Sequence, residues 1–208
     1  MIEHLAHQCR RFFKRRALKD ERFAFLFDPP PPGEFVSLDC ETTGLDPKSD
    51  AILSIGAVRI CENRVETSQA LHLFVQPGKE ISAESIKIHH LRHCDLAGAM
   101  SLSEAIERLL YFIGPRPLVG YHLSFDRAMI NNAIQPHIGT TLPNEMIEVA
   151  ERFYRYKMRT APQGYIDLRF DTILKDLELP VLGKHSALND AVMTALIFVK
   201  LNSTRRAS

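Results

Sequence analysis

Apolar and polar positions divide the chain at a run of prolines. Ahead of it, Ile2, Leu5, Cys9, Phe12 and Phe13 recur at spacings of three and four, which predicts one amphipathic helix. Asp28-Pro29-Pro30-Pro31-Pro32-Gly33 cannot continue a helix or enter a central strand, and favours an extended linker. Beyond the prolines the period changes. Phe35 to Asp39, Ala51 to Ile60 and Val65 to Val75 are apolar and rich in β-branched residues, with Glu62-Asn63-Arg64 as a polar turn, and they predict three strands. Ser82 to His89 predicts a short helix. Ser101 and Glu104 form a capping-box pattern opening a helix that ends before Gly114-Pro115. Pro117 to Tyr121 predicts a buried strand. Helices from Ser124, after Pro143 and from Asp171 follow, with a short strand or turn near Ile166 to Leu168. A long helix closes the pattern from about Ser186 to Leu201. Strands first, then alternating helices and short strands, imply an α/β fold with a mixed sheet flanked by helices and an N-terminal helical extension. The expected division is an extension and linker over 1–33, a main domain over 34–203 and a short basic tail over 204–208.

Composition narrows the function classes only a little. The 208 residues are 45% hydrophobic and 25% charged, enough for one cored domain with some chain left over. Lys plus Arg number 26 against 25 Asp plus Glu, for a net charge of +1, which excludes a uniformly basic nucleic-acid coat. That average conceals a split. Residues 1–33 hold seven cationic and four acidic side chains, a net of +3, and the remainder carries −2. The extension is expected to pack back on the domain with a solvated basic face; the alternative is an arm that meets nucleic acid or a protein partner. No apolar run approaches the roughly 18 to 20 residues of a membrane span, and the N-terminus lacks a signal-peptide core. Cys9, Cys40, Cys61 and Cys94 are scattered, without a metal-binding or redox pair, and are expected to be free thiols in the cytoplasm.

The chemistry gathers at three places. Asp39 and Glu41 lie two apart at a strand end, so both point to one face. Adjacent carboxylates repel unless they are protonated or bridged by a cation, and an oxygen-only set favours Mg²⁺ or Mn²⁺. Thr42, Thr43 and Gly44 follow, suited to gripping a sugar-phosphate end. Asp126 sits where a buried strand enters a helix, near the carboxyl edge of the sheet, where α/β folds place ligands. His185 and Asp190 are five apart, about 140° around a helix, so they share a site more easily if His185 precedes that helix on the loop after Gly183.

Asp39, Glu41, Asp126, His185 and Asp190, in this order and within LDCETTGLDP, SFDRAMI and HSALNDAVMTAL, resemble the DEDDh family of 3′→5′ exonucleases, in particular the proofreading epsilon-subunit type of DNA polymerase III. The resemblance covers about residues 34–201 and includes the Ile81 to His89 segment. It implies a ribonuclease H-like sheet and two divalent ions, Mg²⁺ or Mn²⁺. Asp39 would bridge them, Glu41 and Asp190 would hold the first and Asp126 the second. His185 would accept the proton of the attacking water. Thr42, Thr43, Gly44, Leu45 and Phe125 would contact the terminal nucleotide. Tyr121 and His122 stand where the family typically has His-Asn, a departure that bears on substrate preference. The resemblance further implies action on DNA 3′ ends, favoured over RNA, and a polymerase or other protein partner reached through residues 1–33, with no membrane role. An exoribonuclease and a binding subunit of low activity are the alternatives.

Two stretches fall outside that picture. Arg152 to Arg159 interleaves basic and aromatic residues, either a base-stacking and phosphate-contacting surface or, as expected here, a helix with a solvated basic side. Gln69 to Phe74 resembles a sliding-clamp-binding peptide, but a core strand cannot present one.

Overall fold

The computed structural model describes residues 11–160, 164–183 and 185–206, with side chains through residue 203. Residues 11–17 are helical, and a 3₁₀ turn spans Glu21–Phe27. There follow strands β1 (Glu34–Thr42), β2 (Ile52–Cys61), β3 (Arg64–Val65) and β4 (Leu71–Phe74), then helices α1 (Ala83–His89) and α2 (Leu102–Ile113). The second half alternates β5 (Leu118–Gly120), α3 (Leu123–Ile138), β6 (Met146–Glu148), α4 (Val149–Thr160), α5 (Phe170–Asp176) and α6 (Ala187–Arg206). The sheet runs β3-β2-β1-β5-β6, with β4 also paired to β2. β1 and β2 are antiparallel, whereas β1, β5 and β6 are parallel, so the sheet is mixed as the sequence predicts.

Period two along β1 sends alternate side chains into two separate cores. Val36, Leu38 and Cys40 pack with Leu109, Leu110, Ile130 and Ile134 of α2 and α3. On the other face Phe35 meets Phe198 of α6, ring centroids 4.8 Å apart, and Val58, Ile60 and Val119 join Phe153, Ile173 and Phe198. Asp39 and Glu41 share the parity of Phe35, and therefore face the α6 side. Leu18, Phe23 and Leu26 are buried in the α2–α3 core, which ties the chain ahead of the prolines to the sheet.

Four expectations change. The strand predicted over 65–75 is broken by a 3₁₀ turn at Thr67–Gln69, because Glu66, Thr67, Ser68 and Gln69 offer no apolar alternation. Its two halves lie along successive parts of β2. The segment after Pro143 forms β6 before turning into α4; three residues ending in Glu148 carry too little periodicity to signal a strand. The last helix runs five residues past Leu201. Of the predicted N-terminal helix, residues 1–10 lie outside the described residues. Phe12 and Phe13, the described part of its apolar face, are 58% and 68% exposed, so these two rings do not dock. Residues 11–17 are held through their cations, Arg11 also reaching the Pro143 carbonyl at 3.5 Å, while Leu18, Phe23 and Leu26 anchor the rest of the extension. The Arg11 guanidinium donates to the Asp28 carbonyl at 2.8 Å, and the Lys14 ammonium donates to that of Leu142 at 2.6 Å.

Candidate active site

β1 ends among the acids. Carboxylate oxygens of Asp39, Glu41 and Asp190 lie within 4.8 Å of one another. The sequence builds this cluster with one glycine. Gly56 is the β2 partner of Asp39, and the α6 N-terminus rests on it so closely that a Cβ there would lie 2.1 Å from the Ala187 carbonyl carbon. That approach carries Asp190, in the first turn of α6, to the end of β1. The Asp190 N–H donates to the Ser186 carbonyl at 2.9 Å, fixing the turn.

Asp126 reaches the same strand from the opposite side. It is buried in the first turn of α3, and its Oδ1 accepts the Cys40 N–H at 2.9 Å, from the residue between Asp39 and Glu41. It is not one of the three clustered ligand atoms but acts on them through charge. Burial, and then Asp126, Asp190 and Glu41 in that order, push the Asp39 carboxyl well above its ordinary range. Burial and Asp190 raise Glu41 to about 7. Burial raises Asp126 to about 7 against the lowering effect of its backbone hydrogen bonds. Asp39, Glu41 and Asp126, each held above the ordinary carboxylate range, make a site whose charge a divalent cation would complete, and the oxygen-only donor set suits a hard ion.

His185 stands on the loop before α6, exposed and at a left-handed φ of 57°. It is outside the three-carboxylate group. Asn189 shapes this loop: its side-chain amide donates to the Gly183 carbonyl at 2.7 Å. The sequence reading missed Asn189, and also His89. His89 Nδ1 accepts the Leu91 N–H at 3.0 Å, so its proton sits on Nε2, which is buried and unpartnered among the described residues. Burial, then the neighbouring His90 and His185, push the His89 imidazole below its usual value.

The loop after β1 separates its residues by task. The Thr43 hydroxyl donates to Asp50 at 2.9 Å and accepts the Ala51 N–H at 3.0 Å, so it is committed inward. Thr42 Oγ1 donates to the Gly44 carbonyl at 2.6 Å. A Cβ on Gly44 would sit 2.5 Å from the Asp50 carboxylate, which explains the glycine. Leu45 is 87% exposed at the tip and open to a ligand. On α3, Phe125 is half-buried and packed against the α2–α3 core. His122 is exposed and left-handed just before α3, at φ 55°. Tyr121 turns away from the opening: its hydroxyl donates to the Leu168 carbonyl at 3.1 Å, and its ring lies 4.9 Å from that of Phe170. Glu148, unremarked in the sequence, accepts the Leu123 N–H at 3.1 Å and so anchors the helix bearing Asp126.

The RNase_T family model, described as Exonuclease, matches residues 36–198. The chain belongs to this exonuclease family. The chain spans very different shares of its relatives. A DNA polymerase III PolC-type protein of Caldanaerobacter subterraneus subsp. tengcongensis is 30% identical over 81% of this chain but 12% of its own length. The DNA polymerase III subunit epsilon of Aquifex aeolicus is 27% identical over 81% of this chain and 80% of that one. E. coli exonuclease I in complex with a dT13 oligonucleotide superposes with a TM-score of 0.68 at 17% identity, over 84% of this chain and 42% of that chain. This exonuclease-family domain thus has the ribonuclease H-like architecture, and it spans only a small part of the PolC-type relatives.

Proposed function

We propose that the protein is a metal-dependent 3′→5′ exonuclease that hydrolyses single-stranded or frayed DNA ends and releases 5′-nucleoside monophosphates. The observation carrying this reading is the meeting of Asp39, Glu41 and Asp190 within 4.8 Å, with charge-coupled Asp126 on the adjoining helix. Asp39, Glu41 and Asp190 would hold one Mg²⁺ or Mn²⁺, and Asp126 with Asp39 a second. Bound there, such ions lower the pKa of water and stabilise charge on the attacking and leaving oxygens of an in-line displacement. His185, exposed on the loop before α6, accepts the proton of the attacking water, a task suited to imidazole. Leu45 and Phe125 close on the terminal nucleotide, and the loop braced by Thr43 keeps Leu45 in place. The epsilon-subunit and PolC-type names of the relatives support a replicative polymerase as partner, reached through residues 1–33, and hence a cytoplasmic setting. No helix among the described residues is long and apolar enough to cross a membrane.

The test is incubation of purified protein with matched DNA and RNA oligonucleotides labelled at the 5′ end, with Mg²⁺ or Mn²⁺ and then with chelator. A ladder shortening from the 3′ end, abolished by chelator and by Asp39→Ala, is the expected result. Faster shortening of RNA would make the protein an exoribonuclease. Binding without cleavage of either strand would leave a binding subunit. Undiminished activity in His185→Ala would remove His185 as the base.

A further inference from the structure

The basic and aromatic stretch on α4 is not used by the carboxylate site. Arg152, Arg155 and Arg159 recur at steps of three and four and so share one helical face. With Tyr156 and with Leu201 of α6 they line a concavity of about 220 Å³, with no carboxylate among the described lining residues. The three arginines are held differently. Arg152 donates to Asn202 at 2.7 Å, and its guanidinium lies 4.7 Å from the centre of the Phe198 ring, so it forms the floor. Arg155 is exposed and pairs with Glu151 on its own helix. Arg159 is exposed and makes no ion pair or hydrogen bond among the described residues. Tyr154 and Met158, on the neighbouring face, are 44% and 43% exposed.

We propose that this pocket binds the phosphate backbone of the nucleic-acid strand upstream of the 3′ end being cleaved. Planar guanidinium forks match phosphate oxygens in pairs, and a repeating row of them suits a polymer with a charge at every unit. The exposed Tyr154 beside the row gives a base a surface to stack on. Its position fits a strand that also reaches the carboxylates. Leu201 is eleven residues beyond Asp190 on the same helix, about 16 Å along the axis. At about 3.4 Å of rise per nucleotide of one strand, that is about five nucleotides. The pocket also relieves a difficulty of the −2 domain, whose clustered acids repel the strand they are to cut. The proposal deepens the exonuclease reading and rests on it for the identity of the strand.

The experiment compares wild type with Arg155→Gln/Arg159→Gln and with Arg155→Lys/Arg159→Lys, leaving the packed Arg152 intact. Fluorescent single-stranded DNA of 4 and of 20 nucleotides is titrated in chelator across a range of salt. The same strands are then degraded in Mg²⁺. The glutamine pair is expected to bind the 20-mer about ten-fold more weakly, with a salt slope shallower by about 1.4, the loss of two single-strand phosphate contacts. Its KM should rise for the 20-mer alone, and the 4-mer should be cut at the wild-type rate. The lysine pair should restore most of the salt slope. An unchanged 20-mer slope, or equal losses on both lengths, overturns the proposal. Wild type that binds the 20-mer through these arginines yet cuts neither strand would sink the exonuclease reading and leave the pocket standing.

Discussion

Gly56 lies beneath Ala187 with no space for a side chain: a Cβ at Gly56 would fall 2.1 Å from the Ala187 carbonyl carbon and 2.2 Å from its oxygen. Both neighbours are backbone, so neither can swing aside. This contact sets the height of α6 above the sheet, and with it the distance from Asp190 to Asp39. Gly56→Ala should therefore lift the start of α6. Overpacking of this kind destabilises by about 1–3 kcal/mol. The expected signature is a loss of exonuclease turnover larger than the fall in Tm accounts for, measured on protein still folded at the assay temperature. Full activity in a folded Gly56→Ala variant would show that the cluster tolerates a shift in α6.

Without metal, the acids should make the protein less stable as pH rises. Glu41 and Asp126 keep a proton up to about pH 7 in the fold, whereas unfolded carboxyls release theirs near about 4. The folded state binds more protons over that interval, so stability present at low pH is lost through about pH 7. His72 and His89, held below their usual values, act in the opposite direction, but only as pH falls below about 6.5. Thermal melting in chelator should accordingly show Tm falling from pH 6.5 to 8.5, and Mg²⁺ or Mn²⁺ should remove the fall. A flat profile in chelator would contradict the coupling.

Asp190→Asn should separate stability from function. Its charge raises both Asp39 and Glu41. Removing it should let Glu41 ionise nearer its ordinary value and raise Tm in chelator at pH 8. Turnover should fall by about a hundred-fold or more, the scale on which loss of one preorganised electrostatic group acts. A variant that loses activity and also melts lower at pH 8 would argue that Asp190 is structural.

Asn189→Ala should free the Gly183 carbonyl and loosen the loop bearing His185. Supporting interactions of this type are worth about 10–100-fold in activity. The loss should fall in kcat with KM nearly unchanged, and Asn189→Asp, which cannot donate to the carbonyl, should behave alike. A rise in KM alone would place Asn189 in nucleotide binding.

The strands β1, β2 and β5 and the long helices were legible because their apolar periods run long enough to outlast chance. Asp39 and Glu41 could be placed on one face from the pleat alone, and the loop position of His185 from the 140° offset to Asp190. β6 was not legible: it is three residues long and ends in Glu148, whose carboxylate works as an anchor for Leu123 rather than as a surface charge. Thr43 shows another limit. Its hydroxyl looks available in sequence, but its partners Asp50 and Ala51 are brought round by a loop whose path no local pattern encodes. His89 and Asn189 act through contacts across the fold, so nothing adjacent in the chain marks them.

Lys14 and, at 3.5 Å, Arg11 donate from the chain ahead of the prolines to the Leu142 and Pro143 carbonyls of the main body, and Leu18, Phe23 and Leu26 sink into its core. A proline run ordinarily suggests a swivel, with a head and a tether turning independently. Here residues 14–26 are pinned to the main body ahead of the prolines, and β1 begins directly after them at Glu34. A partner gripping this end would have a rigid handle, so that turning the handle turns the cleft, and the direction in which a strand enters would follow the partner's own orientation.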